Sequence, residues 1–137
     1  MTQQPIEFTI PGVPVPKARA RVGRHGTYTP RATVRAENTV RSCARLMGCE
    51  SMSGALRVEL VFIMPIPKAW SKVKTQKAVA GEIQHVTRPD VDNLCKLLLD
   101  GLADTVFAKG SDAQVAVLIA GKCYGLDPQT RVRIVPL

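Results

Sequence analysis

Between Arg88 and Asp100 the chain reads Arg-Pro-Asp-Val-Asp-Asn-Leu-Cys-Lys-Leu-Leu-Leu-Asp, gathering two aspartates, an asparagine and a lysine at the expected start of one helix. The rest of the chain is strongly basic, with 19 Lys and Arg against 11 Asp and Glu and a formal net charge of +8. Carboxylates gathered inside a positive protein suit a site that holds a divalent cation against a polyanion. The matching chemistry is phosphodiester cleavage on nucleic acid.

Asp90 and Asp92 are two positions apart, on different sides of an established helix. At a helix start the constraint is looser, so both carboxylates can turn toward one point beyond the helix end. Lys96 and Asp100 follow Asp92 at four-residue steps and share its face. The partial positive charge of a helix N-terminus keeps both acids ionised. The same field opposes a cation, so more than one carboxylate is needed to hold Mg²⁺. Lys96 would balance charge on a phosphate oxygen or leaving group. A plainer reading stands beside this one. Asp90 can simply cap the helix, while Asn93, Lys96, Asp100 and Asp104 form a solvated face.

The charge is unevenly spread. Lys17, Arg19, Arg21, Arg24, Arg31, Arg35, Arg41 and Arg45 are relieved by one acid, Glu37, and Lys68, Lys72, Lys74 and Lys77 form a second basic cluster. Asp90, Asp92, Asp100, Asp104 and Asp112 make one acidic island. Basic flanks around an acidic pocket fit a phosphate-binding surface; a basic surface serving only solubility is the alternative. Aromatics make up only 4% of the chain, and this scarcity argues against a generic single-strand binder, which relies on stacking platforms.

At 137 residues one domain spanning 1–137 is expected, large enough for its own core. Cys43, Cys49, Cys95 and Cys123 include no C-x-x-C pair, which argues against structural zinc and for free, mostly buried thiols. No apolar run approaches the roughly 20 residues of a membrane span. Met1 to Gln4 is polar with no apolar stretch behind it, so neither membrane nor secretion is expected, and the cytoplasm is the expected compartment.

Ile6–Ile10 is expected as a strand, and residues 17–30, with Gly23, Gly26 and Pro30 among arginines, as an extended basic loop. Helical spacing runs from Arg31 to Met47, with Ala32, Ala36, Val40, Cys43, Ala44 and Met47 on one stripe. Ala55–Met64 alternates as a strand, with Arg57 and Glu59 on its solvated side. Ser71 is placed to cap a short helix to Ala80, stopped by Gly81. Pro89 disfavours helical geometry at Arg88, so the acidic helix begins near Asp90 and buries Leu94, Leu97, Leu98, Leu102 and Val91. Val106 and Phe107 continue the core. Gln114–Ala120 and Arg131–Val135 complete the strands, joined by a Gly-Leu-Asp-Pro turn. The order β-α-β-α-α-β-β implies an α+β fold, a single-layer mixed sheet with helices packed on one face.

The segment from Arg88 to Leu102, followed by Ser-Asp-Ala-Gln-Val at 111–115, resembles the RusA family of Holliday-junction resolvases. Pro-Val-Pro-Lys-Ala-Arg-Ala-Arg at 14–21, Tyr-Thr-Pro at 28–30 and Met-Pro-Ile-Pro-Lys-Ala-Trp-Ser-Lys at 64–72 are similar to phage members, so the likeness touches most of the chain in order. It implies a RusA-like fold and a Mg²⁺-dependent endonuclease, with Mn²⁺ able to substitute. Asp90, Asp92 and Asp112 are the implied metal ligands and Lys96 the implied fourth catalytic residue. Many members carry a second acid where this chain has Ser111.

The resemblance further implies a prophage-type homodimer that nicks two opposed strands of a four-way DNA junction. Lys17, Arg19, Arg21, Arg24, Arg31, Arg35, Lys68, Lys72 and Arg88 would hold phosphates. Two rivals remain at this level, a nuclease for flaps and other branched DNA, and a non-catalytic phage DNA-binding protein. Trp70 is expected to pack against the sheet or help a dimer interface rather than wedge a junction open, His85 to be a loop surface residue, and His25 to be at most a phosphate contact.

Overall fold

Leu56, Val58, Leu60, Phe62 and Met64 recur at every second position, and all five are buried along one side of a nine-residue strand. Alternation of this kind leaves one sheet face for a core and the other for water. The computed structural model describes residues 3–108 and 110–137. In chain order its elements are β1 (Ile6–Pro11), β2 (Arg21–Gly23), β3 (Gly26–Tyr28), α1 (Arg31–Leu46), β4 (Leu56–Met64), α2 (Lys72–Val79), α3 (Val91–Leu102), a short 3₁₀ turn (Asp112–Gln114), β5 (Val115–Tyr124) and β6 (Gln129–Pro136). The fold is α+β, as expected.

The main sheet has the order β1-β6-β4-β5, with β4 antiparallel to β6 and parallel to β5. Helices α1 and α3 cover its apolar face. Val40 and Ala44 of α1 meet Leu94, Leu97, Leu98 and Leu102 of α3 over Val58, Phe62, Val132 and Ile134. At the α1–α3 crossing, a Cβ added to Gly101 would lie 2.8 Å from Val40 Cβ and 3.1 Å from the Glu37 carbonyl oxygen. Only glycine lets the two helices come this close. The opposite sheet face is charged. Arg133 pairs with Glu7 at 2.9 Å and Glu59 at 3.0 Å, and Arg57 reaches Glu59 at 3.3 Å.

Several expectations are corrected. Residues 17–30 are not a featureless loop, because β2 and β3 pair as a hairpin with Arg21 opposite Tyr28. Its three-residue arms are exposed throughout, so no buried alternation marks them in the sequence. On α1, Thr33 is buried while Ala32 and Met47 are exposed, which turns the expected stripe slightly about the helix axis. Val91 lies outside the buried stripe of α3, and Cys95 and Leu99 lie inside it. All four cysteines are free; Cys95 is buried and Cys123 exposed. Among the described residues no helix is long and apolar enough to cross a membrane.

Candidate active site

Asp90 is the N-cap of α3 by backbone position, but its side chain makes no cap hydrogen bond. Its carboxylate has no hydrogen-bond or ion-pair partner among the described residues and stands exposed. Capping therefore does not account for it. Asp92 lies in the first turn, also exposed, with one oxygen accepting from the Asn93 amide at 2.9 Å. Lys96 follows one turn later on the same face and is exposed. Asp100, farther along, is held in an ion pair with Lys17 at 3.0 Å.

The approach to Asp90 is set from β5. Lys122, the one charged residue of that strand, donates to the carbonyl oxygens of Thr87 at 2.6 Å and Pro89 at 2.8 Å. These two carbonyls bracket the cis Arg88–Pro89 peptide and end at the residue before Asp90. Beside this loop His85 is buried rather than on the surface. Its ring packs at a tilt against Tyr124 with centroids 4.7 Å apart, and Tyr124 meets Trp70 at 4.9 Å. Lys74 Nζ sits 4.1 Å from the Trp70 ring centre, so Trp70 packs as expected. Burial and, secondarily, the nearby Lys122 charge hold the His85 pKa below its ordinary value of 6.5. Sequence reasoning missed Lys122 and the burial of His85. The available signal was a lone lysine inside an apolar strand.

The basic hairpin springs from this same end. Lys17 N–H donates to the Asn93 carbonyl at 2.9 Å, and Ala18 N–H donates to Thr33 Oγ1 at 3.4 Å. The Lys17 ammonium is clamped by Glu37 and Asp100. Burial pulls its pKa down most strongly of any single influence, but the two carboxylates together outweigh it and raise it above 10.5. Its charge is thus compensated inside the protein. Arg19, Arg21, Arg24, Arg31, Arg35, Lys68, Lys72 and Arg88 are exposed, and none is in an ion pair among the described residues.

Asp112 stands elsewhere. It opens the 3₁₀ turn before β5, where Ser111 Oγ caps the turn by accepting from the Ala113 amide at 3.2 Å. The Gln114 side chain anchors the same turn by donating to the Met52 and Gly54 carbonyls, at 2.9 and 3.0 Å. This is the start of β5, whereas Lys122, beside Asp90, is near its end. The length of β5 and the antiparallel run of α3 put Asp112 roughly 20 Å from Asp90 within one chain. Accordingly, no group of three or more His, Cys, Asp or Glu among the described residues could hold a metal ion. One chain brings Asp90, Asp92 and Lys96 together and leaves Asp112 apart.

The donor set at the α3 start nevertheless suits a hard cation. Mg²⁺ is typically held by one or two carboxylates, with water and substrate phosphate completing its shell. Two exposed carboxylates at an open helix end, neither of them ion-paired among the described residues, meet that description. A family model described as "Endodeoxyribonuclease RusA" matches residues 11–135. An uncharacterized protein of Bacillus subtilis (strain 168), YqaN, is 29% identical over 136 residues, covering 94% of each chain. The match takes in the hairpin, the acidic helix, the Asp112 turn and three of the four strands of the main sheet, leaving out all of β1 but Pro11, and the chain belongs to the RusA endodeoxyribonuclease family.

Proposed function

We propose that this protein is a Mg²⁺-dependent endodeoxyribonuclease that resolves four-way DNA junctions as a homodimer. One observation carries the reading. Two exposed carboxylates with no ion pair among the described residues, Asp90 and Asp92, stand at the end of the molecule from which the basic hairpin projects. A polyanion drawn to those arginines arrives at the acids.

When bound there, a divalent cation would supply an activated water and neutralise charge on the leaving oxygen. The protein's own part is holding and orienting. Asp90 and Asp92 offer oxygen ligands from a helix start, a rigid support. Lys122 holds the Thr87 and Pro89 carbonyls and so fixes the chain that delivers Asp90. Lys96 presents its ammonium on the Asp92 face, where it would meet a phosphate oxygen. The uncompensated arginines of the hairpin and α1, with Lys68, Lys72 and Arg88, bind the backbone without reading sequence. A role for Asp112 in the same site requires a second copy of the chain, because its own copy holds it too far away.

The deciding experiment is cleavage of a mobile four-way junction, with strand-resolved products, in Mg²⁺ and in chelator. Paired nicks in two opposed strands of like polarity are expected in Mg²⁺ only. They should be lost in Asp92→Asn while junction binding persists. Preferred cutting of flaps with uncoupled nicks would favour a general branched-DNA nuclease. Binding without cleavage by the wild type would leave a non-catalytic DNA-binding protein.

A further inference from the structure

A cavity of about 520 Å³ opens beside the loop that delivers Asp90. Val13, Pro14 and Pro16, on the way to the hairpin, form one wall, and Pro65 and Pro67, just past β4, form another. Thr87, Arg88 and Pro89 make the wall next to Asp90, and the buried His85 and Tyr124 complete the lining. The volume falls within the roughly 300–1,000 Å³ of small-ligand sites.

The cavity is preformed. Five of its lining residues are prolines, whose rings fix the backbone and cannot collapse inward. Tyr124 is held between His85 and Trp70, and Lys122 pins the carbonyls at Thr87 and Pro89. Two polar groups in the lining are unanswered. His85 and Tyr124 are each 8% exposed, yet His85 Nδ1 and the Tyr124 hydroxyl have no hydrogen-bond partner among the described residues. Buried polar groups are normally paired, so these two await a partner from outside the chain. A stiff apolar slot with a few polar points suits a flat heteroaromatic ring with a hydrogen-bonding rim. Arg88, exposed at the mouth, supplies a cation for an attached phosphate.

We propose that this cavity takes one unstacked nucleobase of the cut strand, next to the phosphate held at Asp90 and Asp92. This rests on the junction-cleaving reading above and adds how that site selects its substrate. Pro89 precedes Asp90 directly, so the cavity wall and the first carboxylate are about 3.8 Å apart along the backbone. Successive nucleotides of a strand are spaced by about 3.4 Å, so a base flanking the cut can enter while its phosphate stays at the acids. In a duplex that base must first leave its stack and its pair. At a branch point much of this cost has already been met. The cavity thus favours branched DNA over duplex, and its two polar groups favour particular bases at one position.

The test uses the full-length protein and four-way junctions whose wild-type cuts have been mapped. An abasic nucleotide replaces, in turn, each of the two nucleotides flanking the cut. Affinity is measured in an Asp92→Asn background, which keeps the DNA whole. At one of the two positions loss of the base should weaken binding roughly tenfold, the scale of one base on an aromatic surface. Thr87→Trp, at an exposed position in the wall, fills the cavity with an indole. It should weaken binding of the intact junction and abolish the difference between intact and abasic DNA. Wild-type cleavage should also favour one base at that position, a preference that Thr87→Trp flattens. Val13→Trp fills the cavity from the wall before the hairpin and should act alike; it replaces Thr87→Trp if that variant fails to fold. Equal affinity for intact and abasic junctions, or a difference that the tryptophan variants leave unchanged, overturns the nucleobase site while junction cleavage stands. A wild type that cuts no four-way junction overturns both.

Discussion

Lys122 and His85 are side chains that serve by holding others in place. Removing the Lys122 ammonium frees two carbonyls beside Asp90, and groups that orient metal ligands typically cost 10–100-fold in affinity when lost. Lys122→Met is therefore expected to weaken Mn²⁺ binding about tenfold or more in titration calorimetry, with little change in thermal midpoint. Lys122→Arg, which can still donate to both carbonyls, should recover much of the affinity. An unchanged affinity in Lys122→Met would remove this role. His85 makes a prediction about pH. Its folded pKa lies below 6.5, so the unfolded chain takes up the proton first as pH falls. Stability is full above pH 6.5 and declines below it, toward the folded pKa. Urea midpoints should drop between pH 7 and 5.5, and His85→Phe, which keeps a ring against Tyr124, should flatten that part of the curve.

At the scale of elements, the α1–α3 crossing is where close packing is most demanding. Gly101→Val should push Val40 and the Glu37 carbonyl away and cost about 1–3 kcal/mol or more in urea unfolding. By contrast Asp90→Asn should leave stability nearly unchanged, since the Asp90 side chain makes no cap bond. A loss near 1 kcal/mol would return Asp90 to a capping role. Elements with a strong physical signature were legible from residue types. β4 shows its alternation, α2 its Ser71 cap, accepting from the Lys74 amide at 3.1 Å, and α3 its start after Pro89. The β2–β3 hairpin buries nothing and so left no trace. β5 runs on to Tyr124, past the expected Ala120, because tertiary pairing with β4 carries it through Gly121 and Lys122, residues that favour strands weakly. Thr33 is buried on α1 where the Ala18 amide donates to its hydroxyl, a contact no helical period encodes.

For the whole molecule, the location of Asp112 was the part the sequence could not disclose. Residue order places 90, 92 and 112 near one another in the chain, yet the length of α3 carries the third acid to the far end. If the site is completed across two copies, the defects complement. Asp92→Asn and Asp112→Asn homodimers should each be inactive. Co-expressed, they should regain up to about a quarter of wild-type sites as single-strand nicks, because half the dimers are mixed and each mixed dimer has one intact site. No recovery, with mixed dimers verified, would argue for a site built within one chain. Junction binding should weaken steeply with salt, and Arg21→Gln with Arg24→Gln should lower the slope of log affinity against log salt by roughly 1–2.

The manner in which the hairpin is moored has its own outcome. It shares no core and is tied down at its root, by the Lys17 amide and ammonium and the Ala18 amide, while its arginines lie bare to solvent. Brief trypsin treatment should nick the chain at Arg21 or Arg24 and leave sheet and helices folded. DNA would compete for those same arginines and slow the cut, so the digestion rate becomes a direct gauge of substrate engagement.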